Sequence, residues 1–304
     1  VKVGDTDSSD AFDPAVEWDG YPKDTFTYLG SHNGSSDGGG GGGGSTAIGE
    51  CSSDATFVHA IQGEGFESPL LGETHVIEGV VTGSFAGLDG FFVQEEDSDA
   101  DANMNTSEGI FVSSSETPAV GSLVRVIGSI EESFGKTQLK SAESLLDCGT
   151  GTVTATSLSL PFSSAEDREA IEGMLVTSSA DLIVSDNYNL GRFGEVVLSS
   201  KLLSQPTNVF TPLSPEAIAL ADENQLNRII LDDGLNGSNP EVVVYPTGGL
   251  SASNTLRLGD TVSAVEGVVD YSYGSYRIVP TTEPSFVHTN PRTESPVLTE
   301  GNLK

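Results

Sequence analysis

Residues 76–94 read Val-Ile-Glu-Gly-Val-Val-Thr-Gly-Ser-Phe-Ala-Gly-Leu-Asp-Gly-Phe-Phe-Val-Gln, and this stretch decides the fold. Its apolar runs are separated by Gly, Ser and Asp, which is the pattern of short strands joined by turns. More runs of the same kind follow, so the sequence predicts an all-β protein. The runs are Val76–Val81, Phe91–Gln94, Ile110–Val112, Leu123–Ile130 and Thr137–Lys140.

Five short strands within about 100 residues are typical of an OB-type Greek-key barrel. A weak internal repeat predicts a second barrel. Residues 77–80 (Ile-Glu-Gly-Val) return at 171–174 (Ile-Glu-Gly-Met), and 133–135 (Ser-Phe-Gly) return at 272–274 (Ser-Tyr-Gly). One short helix is predicted at Ser214–Asn227. We therefore expect two OB-like Greek-key barrels in tandem, although β-proteins also reuse Gly-punctuated strands without such a relationship.

Seven consecutive glycines lie within residues 34–46, and glycine at this density holds no single backbone conformation. This flexible linker cuts off residues 1–33, which are too few to fold alone and end in a strand-like pattern. The sequence therefore predicts five segments. They are the end of an incomplete domain at 1–33, the linker at 34–46, the first barrel at 47–150, the second barrel at 151–290 and another linker at 291–304.

The charge balance restricts the partners. Thirteen Lys and Arg residues against 45 Asp and Glu residues give a net charge of −32. Such a surface repels nucleic acid and anionic membranes at long range and attracts divalent cations. No apolar run reaches the roughly 18 residues of a membrane span, so we expect no membrane partner. Any contact with nucleic acid needs a local cluster of cations.

The two cysteines, Cys51 and Cys148, bracket the first predicted barrel. A bridge between them would close a loop of 97 residues, and loop-closure entropy for that length stabilises by about 4–5 kcal/mol. We expect a disulfide, and with it an oxidising, extracellular compartment. The alternative is that both are small buried hydrophobic side chains.

Several motifs resemble, in their order along the chain, the OB-fold module of large secreted bacterial nucleases. The catalytic part of those nucleases is an endonuclease/exonuclease/phosphatase domain. The motifs are Glu-Gly-Val-Val-Thr-Gly at 78–83, Gly-Phe-Phe-Val-Gln at 90–94, Thr-Ser-Glu-Gly-Ile-Phe-Val at 106–112 and Phe-Gly-Lys-Thr-Gln-Leu at 134–139. Residues 1–33 more weakly resemble the last strands of a lamin-tail-type, immunoglobulin-like domain.

The resemblance implies a secreted nuclease parent in which a C-terminal catalytic domain follows a stretch like residues 301–304. The catalytic motifs of that domain have no match here, so its Mg²⁺ or Mn²⁺ ions would belong to the missing part. The sequence also has no nucleophile elbow, no phosphate-binding Gly loop and no His/Cys metal cluster. We therefore expect that this chain is not an enzyme on its own.

The Asp-rich segment 97–108 has the spacing of a calcium loop. Oxygen-bearing side chains fall at positions 1, 3, 5, 7, 9 and 12, and hard carboxylate oxygens are the ligands that Ca²⁺ prefers. Position 6 is Ala102 rather than Gly, and strands rather than helices flank the segment, so a solvated acidic turn is the alternative. The predicted ligands are Asp97, Asp99, Asp101, Asn103, Asn105 and Glu108.

OB barrels bind single-stranded nucleic acid through aromatic side chains and cations along a groove. Lys136, Gln138 and Lys140 alternate and so share one face of a strand. The candidates in the second barrel are Tyr188, Arg192, Tyr271, Tyr273, Tyr276 and Arg277. Barrel core is the alternative for such aromatics, and we prefer it for Phe91, Phe92 and Phe111.

The leading hypothesis is a non-catalytic, DNA-engaging and scaffolding region of a secreted nuclease with a calcium-supported loop. Binding of DNA would be weak because few cations are available, and stacking of bases on the tyrosines would favour single strands. Two alternatives remain. One is a structural calcium-binding module without nucleic-acid contact, and the other is a docking platform for the missing catalytic domain.

Overall fold

The computed structural model describes residues 48–291 and 293–295. The predicted segments 1–33 and 34–46, and most of 291–304, lie outside the described residues. The chain divides between Gly43 and Gly44, and the description below concerns the unit that begins at Gly44.

Within the described residues the protein is all-β, as the sequence predicts. The first strands are β1 Thr74–Phe85, β2 Gly90–Gln94, β3 Gly109–Ser113, β4 Ser122–Ser133 and β5 Lys136–Thr150. The others are β6 Thr156–Leu158, β7 Leu175–Ser178, β8 Leu182–Asp186, β9 Val196–Ser199, β10 Ile229–Leu231, β11 Thr261–Ser263, β12 Glu266–Ser272, β13 Ser275–Pro280 and β14 Ser285–Val287. The helices are α1 Val58–Gln62, α2 Glu166–Glu169, α3 Leu190–Phe193, α4 Pro206–Val209 and α5 Pro215–Leu226, with a 3-10 turn at Ala86–Leu88.

The longest of these helices, α5, confirms the sequence prediction. Ser214 is its N-cap and accepts a hydrogen bond from Ala217 N through its hydroxyl, which satisfies one of the donors that a helix start leaves unpaired. Pro215 occupies the first turn, where a missing N–H costs nothing. None of the described helices is long and apolar enough to cross a membrane.

Strands β1 to β5 form a closed barrel in the order β1-β2-β3-β5-β4. The β3–β5 pair is parallel, and the other pairs are antiparallel. Helix α1 packs Val58 and Ile61 into the barrel core beside Phe91. Phe91 is therefore a core residue as predicted, whereas the neighbouring Phe92 points to the other side of its strand and belongs to a different cluster.

The second sheet has nine strands among the described residues, in the order β14-β11-β8-β9-β10-β13-β12-β7-β6. Its run β8-β9-β10-β13-β12 repeats the order of the first barrel, including one parallel pair, β10–β13. Strand β11 pairs with β8, and only Ala264 and Val265 separate β11 from β12 along the chain. The assignment of the first barrel and of the second sheet as OB-like stays a prediction.

The two sheets meet along a contact that we call the seam. Phe92 and Phe111 of the first barrel pack on Val268 of β12, so these two aromatics lie between the sheets rather than in the barrel core. The backbone approaches closely here, because a Cβ on Gly109 would lie 2.3 Å from the carbonyl carbon of Gly173. Only glycine fits at that contact.

Polar groups also cross the seam. Lys136 Nζ lies 2.9 Å from Asp270 Oδ1, and it also lies 3.9 Å from the centre of the Phe111 ring. Glu172 accepts a hydrogen bond of 3.0 Å from Thr137 N, and burial raises the pKa of this carboxyl well above its ordinary value. Its second oxygen, Oε2, is buried with no partner among the described residues.

The predicted disulfide is confirmed. Cys51 and Cys148 are bonded, with Cα atoms 5.5 Å apart. Cys148 lies in β5, and Cys51 lies in the segment that precedes α1. The bond therefore ties this segment to the barrel.

We expect the double variant Cys51→Ser/Cys148→Ser to lose up to about 4–5 kcal/mol of unfolding free energy, because the unfolded chain regains the entropy of an open 97-residue loop. Urea denaturation measures the loss. A reducing agent should destabilise the parent protein and leave the double variant unchanged. Equal stability of parent and variant would contradict the expectation.

We expect the stability of the parent protein to fall as pH rises above about 4.5, because the folded state holds the Glu172 proton more tightly than the unfolded chain does. Glu172→Gln should make this fall shallower and raise stability near pH 8, although Glu95, whose pKa is also raised, still contributes to the fall. Thermal unfolding over a pH series measures both effects. The exposed Glu116→Gln is the control and should keep the profile of the parent.

Candidate functional site

Three side chains that could hold a metal ion converge at one end of the first barrel. Glu95 follows the last residue of β2, and Glu108 precedes the first residue of β3. Gln94 and Gly109 are paired across these antiparallel strands, so the two glutamates stand side by side. Helix α1 packs its apolar face into the barrel core and places His59 against both carboxylates.

The geometry of this group is compact. His59 Nδ1 lies 2.7 Å from Glu95 Oε2 and 3.1 Å from Glu108 Oε2. One ligand atom from each of the three residues lies within 4.8 Å of the others. Backbone donors hold the remaining oxygens, since Val58 N donates to Glu95 Oε1 and Asp101 N donates to Glu108 Oε1. The ring of Phe57 stacks on His59, which fixes the imidazole plane.

Burial makes this arrangement electrostatically demanding. Glu95 and Glu108 are 3% and 8% exposed. Burial first, and then the hydrogen bond and charge of Glu108, raise the pKa of Glu95 to about 10. Two carboxylates that are this close together and this deeply buried are stable only with a proton or a cation between them.

The donor set indicates the class of ion. Ca²⁺ and Mg²⁺ are bound almost wholly by oxygen, whereas a mixed imidazole and carboxylate set suits Mn²⁺, Fe²⁺ or Zn²⁺. Three protein ligands leave at least one coordination position for water. We call His59, Glu95 and Glu108 the candidate metal centre, shortened below to the metal centre.

The side chains predicted to bind calcium make hydrogen bonds with different partners in the structure. Glu108 belongs to the metal centre, but the Asp97 carboxylate accepts a hydrogen bond of 2.9 Å from Thr154 N. Asp101 accepts from Asn103 N at 2.7 Å and from the hydroxyl of Thr106. Among the described residues, His59, Glu95 and Glu108 form the one group of three potential metal ligands.

The remaining members of this segment support its turns. Asn103 Oδ1 accepts from Asn105 N at 3.1 Å, and Asp99 N donates to the carbonyl oxygen of Glu96. Ala102 has a φ of 59°, the left-handed conformation that glycine supplies at the sixth position of a calcium loop. The turn therefore forms with Ala102 at that position, and calcium binding by the segment stays a prediction.

Sequence reasoning missed His59 and Glu95. The four histidines are far apart in sequence, so no sequence pattern places His59 beside two acids, as the structure does. A usable signal was present for Glu95, because an acid directly after one strand and an acid directly before its antiparallel neighbour must end up adjacent.

The residues predicted to bind nucleic acid do not form one surface. Lys136 and Arg277 are used inside the protein: Lys136 in the seam, and Arg277 in ion pairs with Asp232 and Glu195. Lys140 is exposed and lies 3.3 Å from Glu131. Gln138 is buried.

The predicted aromatic residues are also divided. Tyr276 donates its hydroxyl to Glu169, and its ring lies 4.8 Å from that of Tyr271. In contrast, Tyr188 and Tyr273 are 89% and 76% exposed. Arg192 is exposed too and lies over the ring of Phe193.

A family model described as "Domain of unknown function (DUF8508)" matches residues 126–291, more than half of the chain. The match begins inside β4 and extends past β14, so it includes parts of both sheets and the seam. No curated protein and no solved structure matches the chain.

We expect Lys136→Ala to lower the unfolding free energy by about 3–5 kcal/mol, because it leaves the buried Asp270 carboxylate without its cation. Lys140→Ala removes the same side chain from an exposed pair, and its effect should stay below about 1 kcal/mol. Urea denaturation of both variants measures the difference. Equal effects would show that Lys136 has no structural role.

Proposed function

This chain belongs to the family described as "Domain of unknown function (DUF8508)", and on that premise we propose that it is a non-catalytic, metal-supported scaffolding region of a secreted nuclease. The metal centre carries the proposal, because its two buried carboxylates and one imidazole are held within 4.8 Å of one another. The nuclease context comes from the motif resemblance, which covers roughly residues 51–290. A disulfide, which persists in oxidising compartments, is compatible with secretion.

A structural ion fits this centre better than a catalytic one. The side chains of His59, Glu95 and Glu108 are only 15%, 2% and 10% exposed. A metal that activates water for attack on a phosphodiester needs an open position that the substrate reaches. An ion below the surface instead cross-links α1 to the ends of β2 and β3.

The position of the centre supports a scaffolding role. Ser107 and Gly109, the neighbours of Glu108, both contact the turn that precedes β7 of the second sheet. The Ser107 hydroxyl donates to the carbonyl oxygen of Glu172, and Gly109 packs against Gly173. An ion on Glu108 would therefore hold the residues through which the first barrel contacts the second sheet.

We expect Mn²⁺ or Zn²⁺ to raise the melting temperature of chelator-treated protein. Saturation at about 100 times Kd adds roughly 2.7 kcal/mol by mass action, which corresponds to about 5–10 °C for a protein of this size. Glu108→Gln should abolish the shift, because it removes a charged ligand. Differential scanning calorimetry measures it.

Asp97→Asn is the matched control, because the Asp97 carboxylate bonds Thr154 instead of facing the centre. It should keep the Mn²⁺ or Zn²⁺ shift of the parent. A Ca²⁺ series separates the two possible sites: a Ca²⁺ shift lost in Asp97→Asn would locate calcium in the 97–108 loop. The proposal fails if no ion stabilises the parent protein or if Glu108→Gln responds as the parent does.

A further inference from the structure

Two hairpin tips of the same construction carry an exposed aromatic residue. Phe134-Gly135 joins β4 to β5, and Tyr273-Gly274 joins β12 to β13. The strands pair up to the residues that flank each tip, Ser133 with Lys136 and Ser272 with Ser275. These are the tips that the sequence repeat at 133–135 and 272–274 aligns.

The backbone at both tips is unfavourable for an aromatic residue. Phe134 and Tyr273 have φ values of 55° and 52°, and the glycines after them have 89° and 73°. Positive φ at both central residues defines a type I′ turn, which favours Asn-Gly or Gly-Gly. A bulky residue there is strained, yet Phe134 is 93% exposed and Tyr273 is 76% exposed. For Phe134 in particular, packing within the described residues does not compensate for the strain, and such outliers point to function.

Both tips border one cavity of about 410 Å³, lined by Gly135 and Gly274 together with Arg168, Arg228 and Tyr271. A neighbouring cavity of about 450 Å³ is lined by Tyr273 and again by Arg228. Arg228 therefore lies where the two cavities meet. Their sizes fall in the range of ordinary ligand sites.

We call the two cavities together the arginine groove. Two of the arginines that line it, Arg168 and Arg228, keep N–H donors that have no partner within the described part of the chain. Among the described residues, no ion pair or hydrogen bond holds the Arg228 guanidinium. Arg168 Nε is buried without a hydrogen-bond partner among the described residues. Glu169 is the one carboxylate that lines the first cavity, and it already accepts the Tyr276 hydroxyl. The first cavity thus has an excess of positive charge within a chain of net charge −32.

We propose that this groove binds single-stranded nucleic acid. Arg168 and Arg228 would contact phosphates, and bases would stack on Phe134 and Tyr273. Unpaired bases offer the flat faces that exposed aromatic side chains bind, and duplex DNA keeps those faces covered. The acidic remainder of the surface limits binding to this groove. Glu67 and Glu132, which line a cleft next to Gly135, exclude phosphates from that end.

Fluorescence anisotropy with labelled oligodeoxythymidine tests the proposal on the full chain. Phe134→Asn should weaken binding at least about fivefold, because one stacked base is lost. Its melting temperature should hold or rise, because Asn suits the type I′ turn. An aromatic residue retained for packing would give the opposite pair of results. Arg228→Gln should also weaken binding, and the exposed Lys201→Gln, the matched control for loss of one positive charge, should not.

Two further measurements complete the test. The logarithm of the affinity should fall with log salt at a slope of about −1.4 for two phosphate contacts. An abasic oligonucleotide should bind at least about fivefold more weakly than oligodeoxythymidine. Equal binding of the abasic strand, parent-like binding by Phe134→Asn and Arg228→Gln, or no binding by the parent protein would each overturn the proposal. These readouts do not involve the metal centre, so the two proposals fail independently.

Discussion

The ion pair between Lys136 and Asp270 is the interaction on which the arrangement of the two sheets depends. Asp270 is 1% exposed, and Lys136 reaches it across the seam while lying over the ring of Phe111. A buried carboxylate without a cation destabilises the folded state. Lys136 of the first barrel therefore supplies the positive charge that Asp270 of the second sheet needs. The charge of Lys136 also lowers the pKa of the nearby Glu172, whereas the charge of Asp270 raises it. Neither sheet satisfies these groups by itself.

The protein has only 13 Lys and Arg residues, and some besides Lys136 also bind acidic side chains inside the fold. Arg125 is 2% exposed, pairs with Glu78 and donates to the carbonyl oxygens of Ile48, Ser53 and Asp54. Arg277 neutralises Asp232 and Glu195 within the second sheet. Cations that hold buried acids are not available to a ligand. Lys136 and Arg277 are paired in this way, and nucleic-acid binding around them stays a prediction. Arg168 and Arg228, in contrast, form no ion pair among the described residues.

Local patterns could be predicted from the sequence, and long-range encounters could not. The first five strands and helix α5 follow from apolar periodicity and from the Ser-Pro start of the helix, and the disulfide follows from the placement of Cys51 and Cys148. The metal centre escaped prediction because His59 meets Glu95 and Glu108 only after α1 has packed on the barrel. The role of Lys136 escaped for the same reason, because nothing local to β5 indicates Asp270.

The metal centre and the seam are parts of one mechanical unit, because residues 107–109 belong to both. Glu108 faces His59 and Glu95, while Ser107 bonds Glu172 and Gly109 contacts Gly173. Glu172 in turn accepts from Thr137, which follows Lys136 at the start of β5. Strand β5 begins directly after the Phe134-Gly135 tip. Short hydrogen-bonded steps therefore link residues 107–109 to the start of β5, which adjoins the first of the two hairpin tips.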